Sequence, residues 1–238
     1  MTHPGVAFSG FRSEAIQFLA DLAANNDRTW FQPRKAEYER LLKEPMEALC
    51  AALDERFAAR GLPFAADPAR SPFRIYRDVR FAKDKSPYKT HVAASFPFVG
   101  ERGRGSAAQM PAVRGAGAAY FHVGPGEVFA GGGIYHPEPG LLRAWRRLVD
   151  GDPARVRATF DEPAFVATFG SVGGHALTRV PAGFRSDHPE ADLLKLTDVV
   201  FGRSLSDEDA SSPKLPDLLA DTYAAAVPVF AMFAGLEH

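Results

Sequence analysis

A stretch of the chain between residues 72 and 91, PFRIYRDVRFAKDKSPYKTH, concentrates positive charge beside aromatic and turn residues. From residue 74 onwards its cations are Arg74, Arg77, Arg80, Lys83, Lys85 and Lys89. Its acids are Asp78 and Asp84, and because the whole chain has a net charge of -1, the positive excess is local. Guanidinium groups bind phosphate or carboxylate in bidentate fashion, and lysine adds a mobile point charge. The stretch therefore predicts a binding cleft for a small anion.

The same stretch has two other interpretations. Asp78 and Asp84 can pair with the arginines, in which case the loop is an ion-paired scaffold. Alternatively, Tyr76, Phe81 and Tyr88 can stack on bases or pack on a partner, which would make the stretch a nucleic-acid or protein-binding module. A pI near 6.7 makes nucleic acid the less favoured partner, because nucleic-acid binding needs basic charge spread over a face.

Two histidines near this stretch are the candidates for acid–base chemistry. Lys89 and His91 lie two residues apart and share one face of a predicted strand, and Tyr120 and His122 do the same on the next one. Histidine is the most frequent general acid or base near neutral pH. The sequence thus predicts proton transfer by His91 and His122, with Tyr120 and Trp30 as walls of the anion cleft. If the protein is an enzyme, phosphoryl or acyl chemistry stabilised by cations is the expected class.

The sequence does not support a metal site, a phosphate loop or a hydrolase site. His136 also lies beside a predicted strand and is able to converge with the other two histidines, but no spacing such as H-x-H or H-E-x-x-H occurs. No phosphate loop and no nucleophile elbow occurs either. We therefore predict no metal and no cofactor.

Three consecutive glycines, Gly131 to Gly133, fall inside a predicted strand. Glycine weakens a strand, so it usually marks a bulge or a close approach by a ligand or another backbone. Close packing against a helix explains the glycines equally well. Both interpretations stay open at the level of the sequence.

Helical patterns occupy both ends of the chain. Ser13 predicts the start of a first helix, and a second one follows Asp27, with Pro45 expected to kink or split it. Prolines in the first turn predict short helices over residues 139–149, 153–160 and 163–169. A last helix is predicted to start at residues 211–213.

Alternating apolar residues predict strands over residues 73–76, 88–98, 118–123, 127–135 and 196–203. The third and fourth of these form a hairpin around the turn Gly124-Pro125-Gly126. Together with the helices they predict an α+β fold, a single domain whose central, largely antiparallel sheet is flanked by N-terminal and C-terminal helices.

We expect one domain, residues 8–236, interrupted by a flexible Gly/Arg/Ala-rich insertion at residues 99–117. The only cysteine, Cys50, excludes an internal disulfide and suits the reducing cytoplasm. The N-terminus lacks a signal-peptide pattern, and the longest nearly uncharged run, residues 224–236, is too short to span a bilayer. These features predict a soluble cytoplasmic protein without a membrane partner. They say nothing about its oligomeric state.

The chain resembles a widespread microbial family of conserved hypothetical proteins, domain of unknown function 2461. The residues that carry the resemblance are 25–31 (NNDRTWF), 73–91, 120–123 (YFHV), 131–133, 188–189 and 193–205. It covers roughly residues 8–236. The insertion at 99–117 is longer than the usual connection and lies beside the predicted cleft, which it is able to cap or obstruct. The resemblance implies kinship but no particular activity, so it leaves open whether the protein is an enzyme.

Overall fold

In the computed structural model, which describes residues 7–80, 82–100 and 117–236, the chain begins with helices. Helix α1 spans Ser13–Ala24. A longer helical segment then consists of α2 (Arg28–Phe31), a 3₁₀ turn (Gln32–Arg34), α3 (Lys35–Tyr38), a π-helical turn (Glu39–Lys43) and α4 (Glu44–Arg60). Asp27 caps α2, because its side chain accepts a hydrogen bond from the Trp30 N–H.

The interruption predicted at Pro45 takes the form of the π-helical turn. Pro45 lies in the first turn of α4, where its missing N–H leaves no hydrogen bond unmade. One residue earlier, the Glu44 N–H donates to the Glu39 carbonyl, five residues back. The helical segment therefore accommodates the proline by one wide turn, a device known from other helices.

Four strands form one antiparallel sheet in the order β1 (Val92–Pro97), β2 (Ala118–Gly124), β3 (Glu127–Ile134) and β4 (Val199–Leu205). Each strand pairs with the next one along the chain. Helices lie before β1, between β3 and β4, and after β4 in the sequence. The predicted α+β fold with a central antiparallel sheet is confirmed.

One predicted strand is replaced by a loop. Residues 73–76 form no strand; instead, isolated bridges join Pro72 to Ala94 and Tyr76 to Tyr88. The prolines at positions 72 and 87 explain the short pairing, because proline cannot donate to a strand ladder. The basic stretch thus folds back on itself, with its two ends held together at the Tyr76–Tyr88 bridge.

Short helices follow the sheet strands. They are α5 (Pro139–Gly151), α6 (Pro153–Phe160), α7 (Pro163–Phe169), α8 (Ala191–Lys195), α9 (Asp207–Ser211), α10 (Leu215–Ala224) and α11 (Val227–Ala234). The three helices predicted from proline in the first turn are present. The prediction of a single last helix starting at residues 211–213 was wrong: this part of the chain is divided into α10 and α11, and a proline in the first turn of α11 marks the division.

The helices bury one face of the sheet. Phe57 of α4 lies edge-on to Phe96 of β1, with ring centroids 6.1 Å apart. From the other end of the chain, the Tyr223 hydroxyl of α10 donates to the Tyr120 carbonyl at 2.9 Å. Phe230 of α11 is fully buried in the same cluster. This leaves the opposite face of the sheet free to carry a site.

Cys50 is fully buried in this core, and burial raises its pKa, so the thiol is a packing residue as expected. In the part of the chain that the structure describes, no single helix is long and apolar enough to cross a bilayer. The bent pair α10 and α11, with 55° between its helices, meets the length and composition test only when both are counted together.

Candidate functional site

A cleft of about 1000 Å³ lies over the sheet face that the helical core leaves free. Its β1–β2 side carries polar side chains, which are Lys89, His91, Ser95, Tyr120 and His122. Its β3–β4 side is lined mainly by apolar and glycine residues, among them Phe129, Gly133, Ile134, Val172, Gly173, Val200 and Gly202. The cleft is therefore polar at one side and apolar at the other.

Strand register brings the polar side chains together. Ser95 pairs with Tyr120 across β1 and β2, and His122 is placed one step further along the same face. Because side chains alternate along a strand, Tyr120 and His122 both point into the cleft while Phe121 between them is buried in the core. The alternation used in the sequence prediction is confirmed for these residues.

A corner between α1 and α2 fixes Lys89 and His91. The Asn26 side chain accepts a hydrogen bond from the Tyr88 N–H and donates to the Tyr88 carbonyl, both at 3.0 Å. The Phe31 ring stacks on the Tyr88 ring with centroids 4.1 Å apart. The NNDRTWF motif thus anchors the chain one residue before Lys89.

The glycines of β3 and β4 lie in the floor of the cleft, where they allow close packing on both faces of the sheet. A Cβ atom at Gly202 would lie 2.0 Å from Cζ of Phe129, whose ring covers Gly202 and Gly131. On the other face, a Cβ atom at Gly132 would lie 2.7 Å from Cζ of Phe230. Close packing, both within the cleft and against α11, accounts for glycine at these positions.

The two predicted catalytic histidines are neighbours. The ring centroids of His91 and His122 are 5.2 Å apart, and His122 also stacks on Phe129 at 5.5 Å. Nε2 of His122 lies 3.3 Å from Oε2 of Glu127, outside hydrogen-bond geometry. Among the described residues, neither ring nitrogen of His122 has a hydrogen-bond partner, although both are buried. Buried nitrogens without a partner are uncommon in proteins, and a catalytic or binding role is one of the explanations for them.

Burial lowers the pKa of both histidines. For His91, the neighbouring His122 and Lys89 lower the pKa further, and Glu127 opposes them. For His122, Glu127 offsets part of the effect of burial. With pKa values below the usual 6.5, both imidazoles are neutral at pH 7 and able to accept a proton.

Lys89 supplies positive charge at the polar side of the cleft. Its ammonium nitrogen lies 4.9 Å from the centre of the Phe73 ring, a cation–π contact. Among the described residues no carboxylate lies within salt-bridge distance of it. Burial lowers the pKa of Lys89, and nearby Arg74 lowers it further. A bound anion would relieve this repulsion.

The other cations of the basic stretch bind within the loop or lie outside the cleft. Arg77 pairs with Asp84, and Arg80 pairs with Asp78 at 2.7 Å. The Lys85 ammonium donates to the Val79 carbonyl at 3.0 Å. The hydrogen bond from Arg80 holds the pKa of Asp78 at about 2. The contacts of Arg77 and Arg80 therefore agree with the interpretation of this loop as an ion-paired scaffold.

The remaining predicted ligand-binding residues lie elsewhere. Arg74 lines a separate pocket of about 310 Å³ beside α3 and α4. Lys83 is exposed on the loop. Trp30 packs against Phe18 and under the Arg34 guanidinium, away from the cleft. The structure therefore brings together Lys89, His91, Tyr120 and His122, and it does not bring the other six residues to them.

A second polar cluster lies beside the β3–β4 side of the cleft and was missed at the sequence level. Oδ1 of the buried Asp198 accepts a hydrogen bond from the His136 N–H at 2.7 Å, and Oδ2 lies 2.5 Å from Nδ1 of His175. Burial raises the pKa of Asp198, but these two hydrogen bonds outweigh it and the pKa lies below its usual value. The available signal was an aspartate directly before the apolar run of β4. The described ring contacts of His136 are with Tyr135 and His175, not with His91 or His122.

The lowered histidine pKa values predict how stability depends on pH. An unfolded histidine titrates near pH 6.5, so below about that pH the unfolded chain binds protons that the folded chain does not. The contribution of the two histidines to the free energy of unfolding is complete above about pH 6.5. It decreases as the pH falls, until the pH lies below the lowered pKa values. In urea unfolding, a His91→Asn/His122→Asn variant should lose less stability than the wild type as the pH falls. Equal slopes in the two proteins would contradict this expectation.

Comparison with known proteins identifies the family. The family model described as a conserved hypothetical protein (DUF2461) matches residues 14–232. This span includes every residue that lines the cleft. No curated protein and no solved structure matches the chain significantly. The chain belongs to the conserved hypothetical protein family DUF2461.

Proposed function

We propose that the cleft binds a small molecule that carries one carboxylate group and an apolar body. The observation that supports this most strongly is the position of Lys89 beside Tyr120, His91 and His122 on one side of a cleft whose other side is apolar. The ammonium group would pair with the carboxylate, and the apolar body would extend towards Phe129 and Val172. Small-molecule sites usually have an apolar lining with a small number of polar groups.

A single carboxylate fits better than a phosphate dianion. Phosphate sites generally combine several arginines or a helix N-terminus with the anion. Here Arg77 and Arg80 bind aspartates of their own loop, and among the described residues Lys89 is the cation that lines the cleft. Burial raises the pKa of Tyr120 to about 12, which keeps its hydroxyl group protonated as a hydrogen-bond donor.

The neutral imidazoles define the chemistry that the cleft can support. His91 and His122 are able to accept a proton from a bound ligand, and Glu127 is 3.3 Å from His122 to stabilise the resulting charge. We assign the two histidines an acid–base or hydrogen-bonding role toward the ligand, without naming a reaction. Carboxylate binding would raise their pKa values, so affinity should increase as the pH falls through the range between the pKa values of the bound protein and the lower ones of the free protein.

A nucleic-acid or protein partner of the basic loop is the second proposal. Exposed Tyr76 beside the loop cations favours it. The aspartate partners of Arg77 and Arg80 weaken it, because they reduce the charge available to phosphates.

We also propose that the protein is located in the cytoplasm. The free, buried thiol of Cys50 agrees with a reducing compartment.

The experiment is a binding screen by thermal shift and calorimetry with aliphatic and aromatic monocarboxylates, phosphate esters and oligonucleotides. We expect a monocarboxylate to stabilise the wild type, since a ligand that binds only the folded state raises its stability. Lys89→Met should lower the affinity for that ligand by about 10- to 100-fold, which corresponds to the loss of one charged hydrogen bond. Lys83→Met, which removes an exposed lysine of the same loop, is the matched control and should bind like the wild type.

Three results would contradict the proposal. Equal carboxylate affinity in the Lys89→Met and wild-type proteins would place the ligand elsewhere. Stabilisation by phosphate esters alone would replace the carboxylate by a phosphate. Binding of oligonucleotides that weakens steeply with salt and is lost in Lys83→Met would instead support the nucleic-acid proposal.

A further inference from the structure

The geometry points to a divalent transition-metal site formed by His136, His175 and Asp198 at the β3–β4 rim of the cleft. Each residue offers one ligand atom, and these atoms all lie within 4.8 Å of one another. The three residues come from separate segments: the chain after β3, the segment after α7, and the position directly before β4. Their convergence is therefore a product of the fold and not of local sequence.

The donor atoms suit a metal of the zinc type. Imidazole nitrogens and a carboxylate oxygen bind Zn²⁺ at about 2.0–2.2 Å, which separates tetrahedral ligand atoms by about 3.3 Å. Nδ1 of His175 and Oδ2 of Asp198 are 2.5 Å apart, within hydrogen-bond distance through one proton. A metal ion would take the place of that proton. The small widening this requires is available because the His175 side chain is 75% exposed.

The carboxylate is already oriented for such a role. Asp198 is 3% exposed, and its Oδ1 atom is held by the His136 N–H at 2.7 Å. This leaves Oδ2 as the atom that faces the His175 imidazole. Hydrogen bonds that fix one carboxylate oxygen while the other binds the ion are common around protein metals.

The backbone at His136 is strained, which supports a functional role. Its φ of 49° makes it the one non-glycine residue with positive φ in the described ranges. Backbone in this left-handed region is unfavourable for residues other than glycine and persists where the surrounding structure demands it. The strained conformation places the exposed His136 ring edge-on to His175, with centroids 6.4 Å apart.

The cluster borders the cleft from the side opposite Lys89. Tyr135 and Pro137, which flank His136, line the cleft, and so do Gly173 and Gly174, which precede His175. Three protein ligands leave a fourth position for water or a ligand atom. The proposed metal site shares no residue with the carboxylate site at Lys89, so it does not depend on carboxylate binding.

The test is a titration of the untagged full-length protein with Zn²⁺ by calorimetry and with Co²⁺ by visible absorption. We expect one equivalent to bind and Co²⁺ to show the intense bands of a tetrahedral site. His175→Ala and His136→Ala should each weaken binding by at least about 100-fold, since each removes a direct ligand and even changes to the partners of ligands cost about 10- to 100-fold. Both side chains are exposed, so both variants should fold, which circular dichroism will verify.

The control is the His91→Asn/His122→Asn variant, which removes the other histidine pair and should bind Co²⁺ like the wild type. Loss of binding in this variant would move the metal to that pair and overturn the assignment. Absence of saturable Zn²⁺ and Co²⁺ binding by the wild type would also overturn it, and would make the Asp198–His175 contact a structural hydrogen bond only.

Discussion

Replacing Phe230 by alanine should lower the free energy of unfolding by about 4 kcal/mol. Phe230 is fully buried in α11, and its ring packs edge-on against Phe64 and Phe201, at 5.1 Å and 5.6 Å between centroids. It also fills the space that Gly132 leaves under the sheet. Because domains are stable by only about 5–15 kcal/mol, this loss would remove between about a quarter and most of the free energy of unfolding.

Urea unfolding followed by circular dichroism measures this change. Phe230→Leu keeps part of the ring volume at the same position and should cost less than the alanine variant. Val166→Ala removes an exposed side chain and should change stability by less than about 0.5 kcal/mol. A small effect of Phe230→Ala, similar to that of Val166→Ala, would show that α11 does not pack against the sheet as described.

Gly133→Ala should destabilise the protein by about 3 kcal/mol. Its φ of +131° is strained for any other residue, and the new methyl carbon would lie 2.1 Å from the Val199 carbonyl oxygen on β4. Backbone cannot move away as a flexible side chain can, so the two strands would have to separate at this point. Overpacking and backbone strain each cost about 1–3 kcal/mol.

Gly126→Ala is the matched control for this prediction. Gly126 also has a positive φ, +73°, but nothing lies within 4 Å of a Cβ atom there. It should cost only about 1–2 kcal/mol for the left-handed conformation. The difference between the two variants in thermal or urea unfolding reports the close contact between β3 and β4 together with the less favourable φ at Gly133. Equal losses would mean that the strands are not in the register described.

Local signals made the elements predictable. Proline in the first turn marked α5, α6 and α7, because proline disturbs a helix least at that position. The Gly124-Pro125-Gly126 turn and the alternation on either side marked the β2–β3 hairpin. Only the residues within each element decide these features. The α+β class followed from their order.

The composition of the anion site was less predictable, because charge density along the chain does not tell which charges neutralise each other. Asp78 and Asp84 are two of the residues that decide this, by binding Arg80 and Arg77 within the loop. Lys89 and His91 reached the cleft because they precede β1, where the alternation of the strand also controls their direction. Trp30 does not line the cleft, because helix packing places its ring against Phe18 of α1.

The cluster at Asp198 was hidden for a different reason. His175 and Asp198 are separated by 22 residues that lie between them along the chain, and His136 comes from another connection. No ligand spacing of a local metal motif can arise from such a set. An aspartate ahead of a buried strand was the available hint, and tertiary structure was needed to give it partners.

Ring resonances of the histidines, recorded by NMR with and without a bound monocarboxylate, would show whether the cleft is the ligand site. We expect the resonances of His91 and His122 to shift on binding, with both pKa values raised by the anion. His188, buried near Asp150 and away from the cleft, should not respond. Saturable carboxylate binding that leaves His91 and His122 unchanged would contradict the proposed site, and the cleft would then have to be abandoned as the place where the ligand binds.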